Sequence, residues 1–301
     1  MSEKSEFVHR IEYLFTRIAA LTVQILPLRA ALWYGAFLGW TAWAIGVRKK
    51  VARLNIASAF PDMKAEEVNR TGRASYMNSG RSMAEFIRQR SLTREYFEKY
   101  ITVEKTPALE KVLANEGGLI FLSGHFGNWE SLGTLSYIMA KKIAIIVAKQ
   151  HNVLIDKYIN SLRSSLGVTI LRRDASIRGV IDVAGRGGVL CWLGDQDAGR
   201  NGLVVNFFGL PASTARGAAA FAVKLNLPLA VGGMVREKGP YHKLVVRAFL
   251  EADPDLSRNE AELDLTQRHV TALEELISEY PEQYWWAHRR WKTTTDLYRK
   301  G

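Results

Sequence analysis

Between residues 118 and 249 short apolar runs alternate with stretches of helical period, and that alternation restricts the chain to an α/β architecture. The runs 118–123, 143–147, 168–171 and 189–193 read as buried strands, and 229–235 and 242–249 as two more separated by Gly239-Pro240. Residues 153–166, 177–184 and 212–225 read as the intervening helices, with 65–89 before them and 260–278 after. The expected fold is a central mixed β-sheet flanked by helices.

Upstream lie two apolar helical stretches, 7–26 and 30–47, separated by Pro27. A helix needs about 20 apolar residues to cross a bilayer. The second stretch approaches that length, whereas the first carries Arg10, Glu12 and Arg17 and reads as amphipathic and interfacial. Two placements therefore stay open, spanning the bilayer and lying in its interface. Glu3 and Glu6, and the cluster Arg48, Lys49, Lys50 after the second stretch, argue against a cleaved signal peptide. If the stretch spans, that cluster with Arg53 keeps the rest of the chain cytoplasmic; otherwise it is a solvated basic turn. Gly35 and Gly39 form a small-xxx-small pair of the kind that lets another helix approach closely, a spacing that also arises by chance in apolar segments. The division expected is membrane-associating helices over 1–47 and a globular domain over 48–301.

A formal net charge of +11 across 301 residues favours an anionic partner: a phospholipid surface, a phosphorylated lipid, an acidic carrier protein or nucleic acid. The bases are spread along the chain and no nucleic-acid module is visible, so nucleic acid is not expected. The single cysteine, Cys191, rules out an intramolecular disulfide and every Cys-rich zinc pattern; it sits in an apolar run and reads as inert core.

The stretch Ser123 to Glu130, SGHFGNWE, begins where a buried strand ends, the place where open α/β sheets put their sites. Glu130 follows His125 by five positions, an offset that on one continuous helix points the two side chains apart. They meet only if the chain turns between them. Gly124 and Gly127 supply freedom for that turn, and Asn128 is a good N-cap, which leaves His125 on a loop and Glu130 in the first turns of a helix. A glutamate bonded to one imidazole nitrogen fixes the tautomer and raises the basicity of the other, which can then take a proton from an attacking hydroxyl. The same residues also fit a plain structural histidine and a capped helix.

Gly124-His125-Phe126-Gly127-Asn128-Trp129-Glu130 resembles the His-x4-Asp/Glu signature of glycerolipid acyltransferases, in the form seen in the bacterial lipid A late (lauroyl/myristoyl) acyltransferase family. Three further blocks resemble that family in the same order. They are Asn55 with Ala59-Phe60-Pro61, Asp195-Gln196-Asp197-Ala198-Gly199 with Phe207-Phe208-Gly209 and Pro211-Ala212, and Pro281-Glu282-Gln283-Tyr284 with Trp286, His288-Arg289-Arg290 and Lys292. One departure is Ala148-Lys149-Gln150-His151-Asn152, where many members carry an aromatic-Arg pair. The resemblance implies a glycerolipid-acyltransferase-like fold, with 48–301 as the acyltransferase domain. It also implies acyl transfer from acyl carrier protein to a hydroxylated acyl chain on a phosphorylated glycolipid, at the cytoplasmic face of the inner membrane, with no metal or organic cofactor.

His125 is then the expected base and Glu130 its partner. Arg163 resembles the family arginine that faces the site, where a guanidinium holds a phosphate or the thioester oxyanion; an exposed helix charge is the alternative. Asp195 and Asp197 alternate with Gln196 after a strand, which aims both at one site; the resemblance assigns them to structural support or substrate positioning rather than metal binding. Arg216 and Asn128 are further substrate-binding candidates. Arg289 and Arg290 are candidate phosphate contacts, and Trp285, Trp286 and Trp291 either interface anchors or core. Two other enzymatic readings stand beside this one: acylation of a mannosylated phosphoinositide from acyl-CoA, and a metal-dependent hydrolase built on His125, Glu130, Asp195 and Asp197. A non-enzymatic lipid binder is the third.

Overall fold

Pro27 has no N–H and a φ of −54°, so it ends one helix and opens the next: α1 (Glu3–Ile25) and α2 (Leu28–Ala44) meet there. The structure, a computed structural model, describes residues 3–172 and 177–299. The chain then bends by 91° into α3 (Lys49–Ala59) and returns as α4 (Ala65–Ile87). Of the basic residues expected as a flank or a solvated turn, Arg48 closes the turn after α2, while Lys49, Lys50 and Arg53 lie on α3. Among the described residues no single helix is long and apolar enough to cross a membrane; α2 and α3 reach that length and apolarity only when taken together across their bend. The helix that Gly35 and Gly39 admit is α4 of the same chain. A Cβ on Gly35 would collide with the Gly80 carbonyl, and one on Gly39 with the Tyr76 carbonyl.

The rest of the chain builds the sheet. Its elements are α5 (Arg94–Tyr100), β1 (Ile101–Val103), α6 (Pro107–Ala114), β2 (Leu119–Ser123), α7 (Leu135–Met139), β3 (Ile143–Val147), α8 (Val153–Ser164), β4 (Thr169–Arg172), α9 (Ile177–Gly185), β5 (Val189–Leu193), β6 (Leu203–Phe207), β7 (Leu210–Thr214), α10 (Gly217–Leu225), β8 (Leu229–Lys238), β9 (Tyr241–Leu250) and α11 (Arg258–Glu279). Local chemistry sets the helix starts. The Thr106 hydroxyl accepts from the Leu109 N–H, and Asn152 Oδ1 accepts from the N–H groups of Leu154 and Ile155.

Seven strands form one mixed sheet in the order β1-β9-β8-β2-β5-β3-β4, parallel throughout except where β8 meets β9. Both faces are covered. One apolar cluster joins Ile120, Leu122 and Leu190 to α10 and α11 through Ala219, Ala222, Leu273 and Leu276; the other joins Phe121 and Cys191 to α6 through Leu109 and Val112. With both faces buried, β2 has no exposed position, which is why it reads as an unbroken apolar run.

The expected helix over 212–225 is shorter than the sequence suggests. Residues 203–214 form a β6–β7 hairpin in which Val205 faces Ala212 and Asn206 faces Pro211, and helix begins only at Gly217. The turn is Phe208-Gly209, both at positive φ (52° and 75°), the conformation that a two-residue hairpin loop requires. Trp286 and Trp291 are 1% and 0% exposed and pack with Phe207 and Tyr284, so the interface-anchor reading gives way to the core for these two.

Candidate active site

Parallel pairing of β2 with β5 puts Ser123 opposite Leu193. Two residues further along each strand stand His125 and Asp195, so the sheet register brings together side chains that are seventy positions apart. Asp195 grips His125 twice: Oδ1 lies 2.8 Å from Nδ1, and Oδ2 accepts the His125 backbone N–H at 2.8 Å. Asp195 is buried, while a quarter of the His125 side chain is exposed.

Burial works against charge on both partners, and their mutual attraction overcomes it. His125 is desolvated, yet the Asp195 charge and hydrogen bond raise its pKa above the usual 6.5; burial likewise opposes the Asp195 carboxylate, which His125 nevertheless holds down at about 2. With Nδ1–H donating to Asp195, the lone pair sits on Nε2, 3.4 Å from the Gln196 amide. His288, on the far side of Asp197, accepts the Asp197 backbone N–H at 3.1 Å through Nε2, and burial pulls its pKa down to about 4, so it stays neutral.

The loop itself is held from every side. Gly127 has φ +58° and lies so close to the Met234 carbonyl that a Cβ would collide with it. Its N–H donates to Gln283 O, its carbonyl accepts from Ser82 at 2.9 Å, and the Trp285 N–H donates to the His125 carbonyl. Asn128 begins a 3₁₀ turn, Trp129–Thr134, but its side chain does not cap it; the amide donates to Glu85 Oε2 at 2.8 Å in a buried cluster. In that cluster Arg236 binds both Glu85 oxygens, at 3.0 and 2.6 Å, and Asn78. Asn128 is therefore buried, tied to the scaffold through its amide nitrogen, and not part of the cleft lining.

Glu130 does not bond to His125. Its carboxylate takes Arg163 in a two-point clasp, Nε to Oε2 at 2.9 Å and Nη2 to Oε1 at 2.6 Å, and the guanidinium lies over Phe86. The physical reason is direction: the turn after Asn128 aims Glu130 at α8, and Asp195 already occupies His125 Nδ1. Glu130 and Arg163 nevertheless line the same cleft as His125, Gln196 and Asp197. This cleft, about 680 Å³, has a polar mouth and an apolar interior made by Leu132, Ile145, Cys191 and Leu193. Asp197 Oδ1 accepts from Thr293 and from the Gly199 N–H, which braces the wall. Arg216 is not part of the cleft lining; it is paired with Glu262 of α11. Arg290 is buried against Ser213, Thr214 and Phe207. Among the described residues no three His, Cys, Asp or Glu side chains are arranged to hold a metal ion. Gln196 and Trp129, which stand beside the His125 ring, are cleft residues that the motifs contain but to which sequence reading gave no role.

A buried carboxylate, an oriented histidine and an adjoining cleft of polar and apolar side chains at the strand ends now stand beside a match in sequence. The model of the family described as bacterial lipid A biosynthesis acyltransferase matches residues 1–293, so the protein is an acyltransferase enzyme. The chain belongs to the bacterial lipid A biosynthesis acyltransferase family. It is similar, at 24% identity over 251 residues, to the lipid A biosynthesis palmitoleoyltransferase of Escherichia coli (strain K12), covering 82% of this chain and 79% of that protein. The lipid A biosynthesis acyltransferase of Shigella flexneri matches with the same identity and coverage.

Proposed function

We propose that this enzyme moves a fatty acyl chain from an acyl carrier protein thioester to a hydroxyl of a phosphorylated lipid A precursor, working at the cytoplasmic face of the inner membrane. The observation that carries the reading is the Asp195–His125 pair at the mouth of a cleft with an apolar interior. His125 Nε2 takes the proton of the acceptor hydroxyl as its oxygen bonds to the thioester carbon. The tetrahedral oxyanion that forms is met by Arg163, which the Glu130 clasp holds in place with N–H groups to spare. Collapse breaks the C–S bond, and the imidazolium returns its proton to the departing thiolate. No covalent acyl-enzyme is needed. Asp195 takes over the part that the sequence assigned to Glu130, fixing the tautomer, while Glu130 becomes the positioning residue of Arg163. The apolar interior suits the acyl chain, and the exposed Phe15 of α1 and Trp33 of α2 suit a lipid interface.

The test is acyl transfer from a series of acyl-carrier-protein thioesters, with acyl-CoA run alongside, to a tetra-acylated phosphorylated disaccharide lipid. Chelator is added in parallel, and His125→Ala and Asp195→Asn are compared with wild type. Product with wild type, its loss in both folded variants and indifference to chelator are expected; full turnover by His125→Ala overturns the mechanism.

A further inference from the structure

Away from the catalytic cleft, a second groove of about 700 Å³ opens at the bend between α2 and α3. Its walls are the outward side of α3 and the start of α4. Along α3 the side chains facing it are Lys49, Lys50 and Arg53, then Leu54 and Ala57; Met63 and Val68 complete an apolar floor. The opposite face of α3, with Val51, Ala52, Ile56 and Ala59, is buried in the protein, so the groove-facing stripe is what this helix offers to the outside.

Three features of this groove are unusual together. No acidic residue lines it. Lys49 lies over the Trp43 ring, and neither Lys50 nor Arg53 is in an ion pair among the described residues. Lys49 and Lys50 also stand at the positive end of α3, where the helix dipole disfavours them, and the first turn holds no acid to offset that cost. Positive charge placed against the dipole, with no acidic partner among the described residues, at the edge of an apolar slot, matches a molecule with an anionic head and an apolar tail. The neighbouring surface narrows the choice. Ile45 and Val47, exposed by 74% and 49%, continue the apolar surface from the end of α2 to the rim.

We infer that this groove binds one anionic phospholipid of the surrounding membrane, its phosphate on Lys49, Lys50 and Arg53 and part of one acyl chain on Leu54, Ala57 and Met63. The inference rests on the interfacial part of the proposed function. It adds a specific lipid site, separate from the cleft that holds His125. Seated there, the lipid would fix the bend of α2 into α3 at the bilayer surface.

The measurement is binding of the full-length enzyme to short-chain dihexanoyl phosphatidylglycerol and phosphatidylcholine below their micellar concentrations, and to vesicles of neutral and of phosphatidylglycerol-containing lipid. Wild type is compared with Lys49→Gln/Lys50→Gln/Arg53→Gln, with Ala57→Trp, which fills the slot and keeps every charge, and with the distant control Lys105→Gln/Lys111→Gln/Lys142→Gln. Circular dichroism confirms that each is folded. Expected are preference of wild type for the anionic lipid, loss on the order of a hundredfold in the α3 triple variant, a clear loss in Ala57→Trp, and no change in the control. Loss in the triple variant with none in Ala57→Trp overturns the site, since charge alone then explains attraction. Failure of wild type to bind any vesicle overturns the interfacial reading and this inference together, whereas vesicle binding with both α3 variants unimpaired overturns this inference alone. Acyl carrier protein is titrated in the same series; loss of its binding in the triple variant with lipid binding intact assigns the groove to an acidic protein and overturns the lipid.

Discussion

At His125 two forces compete, burial disfavouring the imidazolium and Asp195 favouring it, and Asp195 prevails. The consequence for catalysis has a definite sign. A base works when neutral, so activity rises with pH through a histidine pKa that lies above 6.5. Asp195→Asn removes the charge that raised it and disturbs the tautomer, so the rising limb moves to lower pH while kcat falls on the order of 10³-fold. A pH–rate profile of the folded variant checks both; a limb that stays in place removes Asp195 from the mechanism. The residues of this site were only half legible beforehand. His125 announces itself by location and Arg163 by the family resemblance, and the five-residue offset already said that Glu130 could not reach His125 on a simple helix. What one-dimensional spacing could not supply was the β2–β5 register, and with it the identity of the carboxylate that does reach.

At the scale of elements, α4 is the support of the loop that carries His125. Ser82 and Asn78 hold the Gly127 carbonyl, and Glu85 holds Asn128 and Arg236. Glu85→Gln leaves Arg236 buried without its counter-charge, and a loss of about 3–5 kcal/mol in chemical denaturation is expected. Burial opposes the Glu85 charge, but His242 and Arg236 lower its pKa from 4.5 to about 2. Its contribution is therefore complete above about 4.5 and disappears as pH falls toward 2, so the gap between wild type and variant should close over that window. The α2–α4 contact gives a second expectation. Gly→Ala inside a helix ordinarily gains roughly 0.5–1 kcal/mol, whereas overpacking costs about 1–3 kcal/mol. Because a Cβ at Gly39 would run into the Tyr76 carbonyl, Gly39→Ala should destabilise, read as a lower Tm. The strands β2, β3 and β5 were legible because burial on both faces leaves continuous apolar runs. The β6–β7 hairpin was not, because its turn uses Phe208 at positive φ where a glycine or asparagine would have signalled it.

Across the whole molecule, the sheet sets one end of the cleft and the loops set the other. Ile145 of β3 faces the apolar interior. In the proposed reaction Ile145→Trp shortens the space for the acyl chain, and kcat/KM for the longest accepted donor should fall by about tenfold or more while shorter donors are spared; equal loss across all lengths would place the acyl chain elsewhere. The sheet order also says something about how such an enzyme can diversify. β2 and β5 are direct neighbours, while β3 and β4, which separate them in sequence, lie outside β5 toward the sheet's edge. Insertions or deletions between β3 and α9 would therefore enlarge or trim the outer rim without coming between His125 and Asp195. The contact between His125 and Asp195 is shielded from such changes in chain length, and the outer rim can vary around it as long as α8 keeps Arg163 against Glu130.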